Sequence, residues 1–161
     1  MAVTRKLPDD LEDYFYYEDG ILFWKIDRPR VKKGDRAGTI DTHGYLRTGL
    51  HGSKWFNHHI LYFMYTGQAV DRLDHIDGNP LNNTKENLRP CCDRTNQYNR
   101  DKQRNNTSGY KGVSWHNVHK KYRAVCNGKH LGMFTCAKEA SEAYERYARN
   151  NNGEFYRKAW R

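Results

Sequence analysis

Apolar and polar residues alternate in short runs through the first third of the chain, and a helical period takes over near its end. "YYEDGILFWKI" (16–26) sets two apolar runs around Asp19-Gly20 and predicts a β-hairpin. "GTIDTHGYLRTGLHGSKWF" (38–56) repeats the pattern, with turns predicted near His43-Gly44 and His51-Gly52. Between them, "DRPRVKKGDR" is a basic loop. "NHHILYFMYTG" then predicts a short helix with Asn57 as N-cap and Gly67 as its end. Its Ile60, Leu61, Phe63 and Met64 would pack on the hairpins.

Residues 70–92 predict a short strand, a long polar loop and a second short strand, with Asp93 as N-cap of a helix over about 94–102. "RDKQRNNTSG" (100–109) is polar and reads as a linker. Beyond it, "YKGVSWH", "KYRAVCN" and "KHLGMFT" predict three strands. The Asn127-Gly128 pair is a strong signal for a two-residue hairpin turn. In "CAKEASEAYERYARN", Ala140, Ala143, Tyr144, Tyr147 and Ala148 recur at i, i+3, i+4, i+7 and i+8, one face of an amphipathic helix. The expected fold class is α+β. Hairpins and a two-stranded unit come first, then a three-stranded antiparallel sheet backed by one helix. The expected division is 1–100, a linker at 101–108, and 109–161.

Charge sharpens this division. Residues 1–105 hold 17 Lys/Arg against 15 Asp/Glu, whereas residues 106–161 hold 11 against 4. The last third therefore carries +7 of the net +9, which favours a polyanionic partner. The four cysteines, at 91, 92, 126 and 136, form no CxxC pair, so neither a disulfide framework nor a paired-cysteine zinc site is expected. Reduced thiols fit an intracellular, cytoplasmic protein. No run resembles a signal peptide or approaches the roughly 20 apolar residues of a membrane span.

Candidate chemistry concentrates in "LDHIDGNPLNNTKENLRPCCDRTNQYNR" (73–100), which holds six Asn, three Asp and one His. Turn chemistry explains part of it, since Asn, Asp and Gly build loops. Oxygen donors from Asp and Asn also suit a hard divalent cation. A neutral His nearby can deprotonate water, and an Asn side-chain oxygen can hold that ring's tautomer. Asp74 and His75 are neighbours, so a strand break is expected if both serve one site. Asp77, Asn79, Asn82 and Asn83 are expected to hold the loop together through local bonds. His58 and His59 are expected as structural residues beside apolar neighbours, with a place near the site as the alternative.

"DHIDGNPLNNTKENLR" closely resembles the core of HNH homing endonucleases of the phage and intron type, and "HHILYFMYTG" resembles the helix that precedes that core. The resemblance covers about residues 55–100. It implies a ββα-metal nuclease module that binds magnesium or manganese. His75 would be the general base and Asn87 would orient it. Asp74 and Asn96 would ligate the metal, with Asn96 standing where the family often has His. Arg89 is a candidate phosphate contact.

"SGYKGVSWHNVHKKYRAVCNGKHLGMFTCAKEASEAYERYA" resembles the plant ethylene-response-factor type of DNA-binding domain. That resemblance implies a sheet laid in the major groove of double-stranded DNA, with the helix held away from it. Lys111, Trp115, Lys120, Lys121, Arg123 and Lys129 are the candidate contacts, with core packing as the alternative for Trp115. Together the two resemblances imply a site-specific DNA endonuclease, acting as a monomer that nicks one strand unless it dimerises. A non-catalytic DNA-binding regulator is the alternative. An RNA-acting protein ranks behind both, because the deep, narrow major groove of A-form RNA excludes a sheet.

Overall fold

The computed structural model describes residues 6–92, 102 and 105–156. The chain divides into two compact units, Met1–Cys92 and Asp93–Arg161, and has the α+β composition expected. Residues 93–101, which hold nearly all of the predicted helix at about 94–102 and its cap Asp93, lie outside the described residues, as do 103 and 104 of the linker.

The first unit opens with a one-turn helix that the sequence pattern does not signal, α1 (Leu11–Tyr14). The hairpin of β1 (Phe15–Glu18) and β2 (Ile21–Trp24) follows. Asp19 and Gly20 both have positive φ, the primed turn that matches strand twist. A second sheet orders β3 (Thr39–Ile40), β4 (Leu46–Leu50) and β5 (Ser53–Phe56) as an antiparallel meander. The β3–β4 turn is tied by Asp41, whose Oδ1 accepts from the backbone N–H of His43 and Tyr45.

Helix α2 (Asn57–Thr66) follows directly and ends at Gly67, which takes the left-handed conformation. Ile60 and Leu61 are wholly buried against Leu11, Phe15, Leu22 and Leu50, with Phe63 and Met64 packed at the margin. Fully burying each such side chain contributes about 1.5–3 kcal/mol. Asn57 is not the N-cap. Phe56 occupies that position, and the Asn57 amide is spent on tertiary bonds instead. It donates to the Ala37 carbonyl and accepts from the Thr48 hydroxyl, which ties α2 to two other segments. These buried partners would otherwise lack water, and that outweighs a local cap.

The ribbon of β6 (Leu73–His75) and β7 (Leu88–Pro90) completes this unit. The loop between them ends in a 3-10 turn, Lys85–Asn87.

In the second unit, β8 (Val113–His116), β9 (Lys121–Cys126) and β10 (Lys129–Phe134) form an antiparallel sheet in the order β10-β9-β8. Asn127 and Gly128 make the predicted turn with positive φ. Helix α3 (Ala137–Asn151) lies on one face. Ala140 meets Val113 and Ala124, while Tyr144 and Ala148 meet Cys126. Small residues on both sides let the helix approach the sheet closely. Gly112 belongs to the same approach: its φ is +70°, and a Cβ there would lie 2.3 Å from the Tyr144 ring.

Candidate active site and candidate nucleic-acid face

Asp74 and His75 occupy the end of β6, and both are buried, at 5% and 6% exposure. Pairing is regular through Leu73↔Pro90, Asp74↔Arg89 and His75↔Leu88. The break in the strand comes after His75, at the Gly78-Asn79-Pro80 turn expected to supply it, where Gly78 N–H returns to the His75 carbonyl. Asp74 consequently shares the face of its cross-strand partner. Nε and Nη2 of Arg89 both reach Oδ2 of Asp74, at 2.9 and 2.7 Å. Arg89 was expected at a phosphate; in the structure it is 12% exposed and engaged with Asp74. Cys91 lies nearby, its thiol pushed up to about 11 by burial and by the Asp74 charge.

His75 faces a different set of groups. Its Nε2 lies 2.8 Å from Oδ1 of Asn83, which is 2% exposed. His58 stands edge-on to the ring, and Tyr45 lies at 6.1 Å between centroids. His58 is buried, and desolvation, helped by His59 and His75, pushes its pKa down to about 2. His59 is also lowered by burial, against the opposing effect of a backbone bond to Val70 and the Asp71 charge. The structural role expected for His58 and His59 thus coexists with a place beside His75.

Asn87 does not orient His75. Its Oδ1 accepts from Asp77 N–H, while its Nδ2 donates to Asp77 Oδ1 and to the Asn82 carbonyl. It cross-braces the loop, and its own carbonyl receives the Ile76 N–H. Asp77 and Asn79 close successive local turns onto the backbone of Asn79 and Leu81. Asn82 donates to Asp77 Oδ2. These bonds hold the Asp77 carboxyl below the ordinary value, against the desolvation that raises it. The sequence separates neither Asn83 from its neighbours nor the ring it meets, because each Asn in the run is an equally good loop former.

A hard cation such as magnesium commonly takes one or two carboxylates, with water and phosphate oxygens completing its shell. The buried carboxylate of Asp74 fits that pattern. Asn96, the second expected ligand, lies outside the described residues.

In the second unit, cross-strand register decides which candidates share a surface. Ala124 and Cys126 face α3, so Lys121 and Arg123 face away from it. Pairing adds His116 opposite Lys121, Ser114 and Met133 beside Arg123, and His130 beside Val125. His116 and His130 were not among the expected contacts, though period-two alternation from the Asn127-Gly128 turn would have found them. Lys120 is exposed in the β8–β9 turn, with φ +50°. Lys111 is half-buried in the turn before β8.

Two expected contacts lie on the helix side. Lys129 pairs with Cys126 and sets its Nζ 5.0 Å from the centre of the Tyr147 ring on α3. Trp115 stacks edge-on with Tyr122 at 4.9 Å and remains 43% exposed, so its packing is marginal and not core. The register shifts between His130 and Gly132, which lets Leu131 join the helix-side clusters.

Protein 3.8 of Escherichia phage T7 is 45% identical to this chain over 53 residues, a stretch that makes up 33% of the chain and 44% of that protein. The chain therefore spans less than half the length of the relative it matches. No protein-family model matches the chain, and no solved structure does. Among the described residues, no helix is long and apolar enough to cross a membrane.

Proposed function

We propose that this protein is a metal-dependent DNA endonuclease of the HNH type, with a nuclease unit followed by a DNA-binding unit. The observation that carries the reading is the end of β6. There a buried carboxylate, Asp74, adjoins a buried imidazole, His75, whose ring is held by a side-chain hydrogen bond. Burying two such groups is costly unless they are partnered, and both are partnered.

In this reading His75 accepts a proton from a water molecule as that water's oxygen bonds to phosphorus. The phosphorus bond to the 3′-oxygen breaks, and the leaving oxygen is protonated from solvent. Asp74, with Asn96, would hold magnesium or manganese, which supplies charge stabilisation for the transition state when bound. One His75 per chain gives one cut per chain, hence a nick.

The second unit supplies affinity for duplex DNA. Lys121 and Arg123, with His116 and His130, line the sheet face away from α3, and a strand ribbon fits the major groove. The likeness to a phage protein accords with a phage or mobile-element source.

Incubating supercoiled plasmid carrying candidate target DNA with magnesium or manganese tests the proposal. Metal-dependent nicking that is lost in EDTA and in His75→Ala is the expected result. Tight, salt-sensitive duplex binding without cutting on any substrate would leave the regulator reading in its place.

A further inference from the structure

The β1–β2 hairpin presents two faces. Phe15, Leu22 and Trp24 point into the core, so Tyr16 and Phe23, each one position away along its strand, point outward. Tyr16 pairs with Phe23, and Phe23 in turn forms an antiparallel bridge with Arg36. Residues paired across strands share a face, so Tyr16, Phe23 and Arg36 make one row. The two rings stack at 5.2 Å with their planes 15° apart, and neither belongs to a core cluster. Phe23 covers one side of the Tyr16 ring, and Tyr16 is still 39% exposed.

Charge is concentrated beside this pair. Residues 25–36 hold six Lys/Arg against two Asp, a net of +4, whereas residues 1–105 as a whole net +2. The basic loop lies against the rings: a Cβ on Gly34 would meet the Tyr16 hydroxyl at 4.0 Å. The two carboxylates of the loop brace its own backbone. Asp35 Oδ2 accepts from Lys32 N–H and Asp27 Oδ1 accepts from Lys33 N–H, at 2.7 and 2.9 Å. Lys32, Lys33 and Arg36 are exposed, and none of the ion pairs among the described residues uses them.

An open aromatic ring next to such cations suits a single nucleic-acid strand, whose bases stack on the ring while its phosphates meet the charge. A paired base hides its ring faces in the duplex, so only an unpaired one can use Tyr16. We infer that Tyr16, backed by Phe23, is a stacking site for an unpaired base of DNA, with Arg36 and Lys33 taking the flanking phosphates. Neighbouring strands lie about 4.8 Å apart, so Arg36 stands about two spacings from Tyr16, a span that a guanidinium and the phosphate of a stacked nucleotide bridge together. The choice of DNA over RNA rests on the nuclease reading; the stacking does not.

The test uses the full chain in EDTA, so that no cleavage intervenes. Fluorescence anisotropy compares a labelled thymidine strand of about twelve nucleotides with a base-free strand of the same length and charge. The wild type should bind the thymidine strand at least about fivefold more tightly, the lower end of what one stacked base contributes. Tyr16→Ala should abolish that preference, and so should Tyr16→Leu, which keeps an apolar side chain without the ring. Tyr16→Trp should retain it. Arg36→Ala should weaken both strands alike and lower the salt dependence by about one contact.

A strand carrying 5-iododeoxyuridine, irradiated on the protein and mapped by peptide mass spectrometry, should crosslink at Tyr16. Equal wild-type affinity for the two strands overturns the inference. So does a base preference that survives both Tyr16→Ala and Tyr16→Leu, or crosslinking confined to the second unit. An oligouridine bound more tightly than the matching oligodeoxyuridine overturns the assignment to DNA. The expected strand binding in a protein that, given magnesium, nicks no duplex supports the stacking site and overturns the nuclease reading alone.

Discussion

His58, in the first turn of α2, stands edge-on to His75 with ring centroids 5.1 Å apart. Two imidazoles so close cannot both carry charge cheaply, and burial adds to the penalty. His58 is held neutral, its pKa pushed down to about 2, and His59 is lowered in the same direction.

These rings make stability depend on pH, with a definite sign. Below about 6.5 the unfolded chain protonates both rings, while the native state keeps His58 neutral and disfavours the charge on His59, so the unfolded state binds more protons. Their contribution is fully present above about 6.5 and is lost as pH falls towards the folded value. Each ring that stays neutral should tilt the curve by about 1.4 kcal/mol per pH unit. Urea unfolding of the first unit should show stability falling from about pH 6.5 downwards. A flat profile through that window would mean that the rings titrate normally in the native state.

The ion pair between Arg89 and Asp74 is nearly buried, at 12% and 6% side-chain exposure. Arg89→Ala takes the guanidinium away from a carboxylate that has little water around it. The expected loss is about 3 kcal/mol, the lower end for breaking a buried pair. If a divalent cation sits on Asp74, magnesium should recover part of this loss in Arg89→Ala and none of it in the double variant with Asp74→Leu. Thermal melts of the two variants, with magnesium and with EDTA, make the comparison.

Arg123 and Lys129 carry the same charge on opposite faces of one sheet. Arg123 lies on the face away from α3, whereas Lys129 rests over Tyr147. Arg123→Ala should weaken duplex binding about tenfold and flatten its salt dependence by about one contact. Lys129→Ala should change binding less than twofold while costing the second unit about 0.5–1 kcal/mol. Fluorescence anisotropy across a salt series decides it. Equal losses in binding would place DNA on both faces.

Gly112→Ala tests how closely α3 approaches the sheet. The new methyl group would meet the Tyr144 ring at 2.3 Å and the Val125 carbonyl at 2.7 Å, at a residue whose φ is +70°. Overpacking and left-handed strain each cost about 1–3 kcal/mol. The second unit should therefore lose at least about 2 kcal/mol in denaturant unfolding. A loss under about 0.5 kcal/mol, the size of an ordinary surface change, would mean that the sheet and helix can separate freely there.

Much of the fold is legible along the chain because its signals are local. Asp19-Gly20, His51-Gly52 and Asn127-Gly128 adopt positive φ by themselves, and each fixes the register of its hairpin. The Ala and Tyr spacing of 140–148 likewise names the face of α3. Asn57 shows where local reading stops. It has the residue type of a cap, yet the buried Ala37 carbonyl and Thr48 hydroxyl claim its amide.

The sequence by itself determined the turns, the amphipathic helix, the basic last third, and the placing of Asp74 and His75 side by side. Each of these follows from residues within a few positions of one another, whose preferences act before the chain folds. Only the tertiary structure decided which Asn meets His75 and which paired with the loop instead, and which cations share the outer sheet face. Asn83 and Asn87 have the same side chain and the same local preferences. What separates them is the approach of Tyr65 and Gly20 from distant parts of the chain, which buries one amide beside the ring and leaves the other to brace the loop.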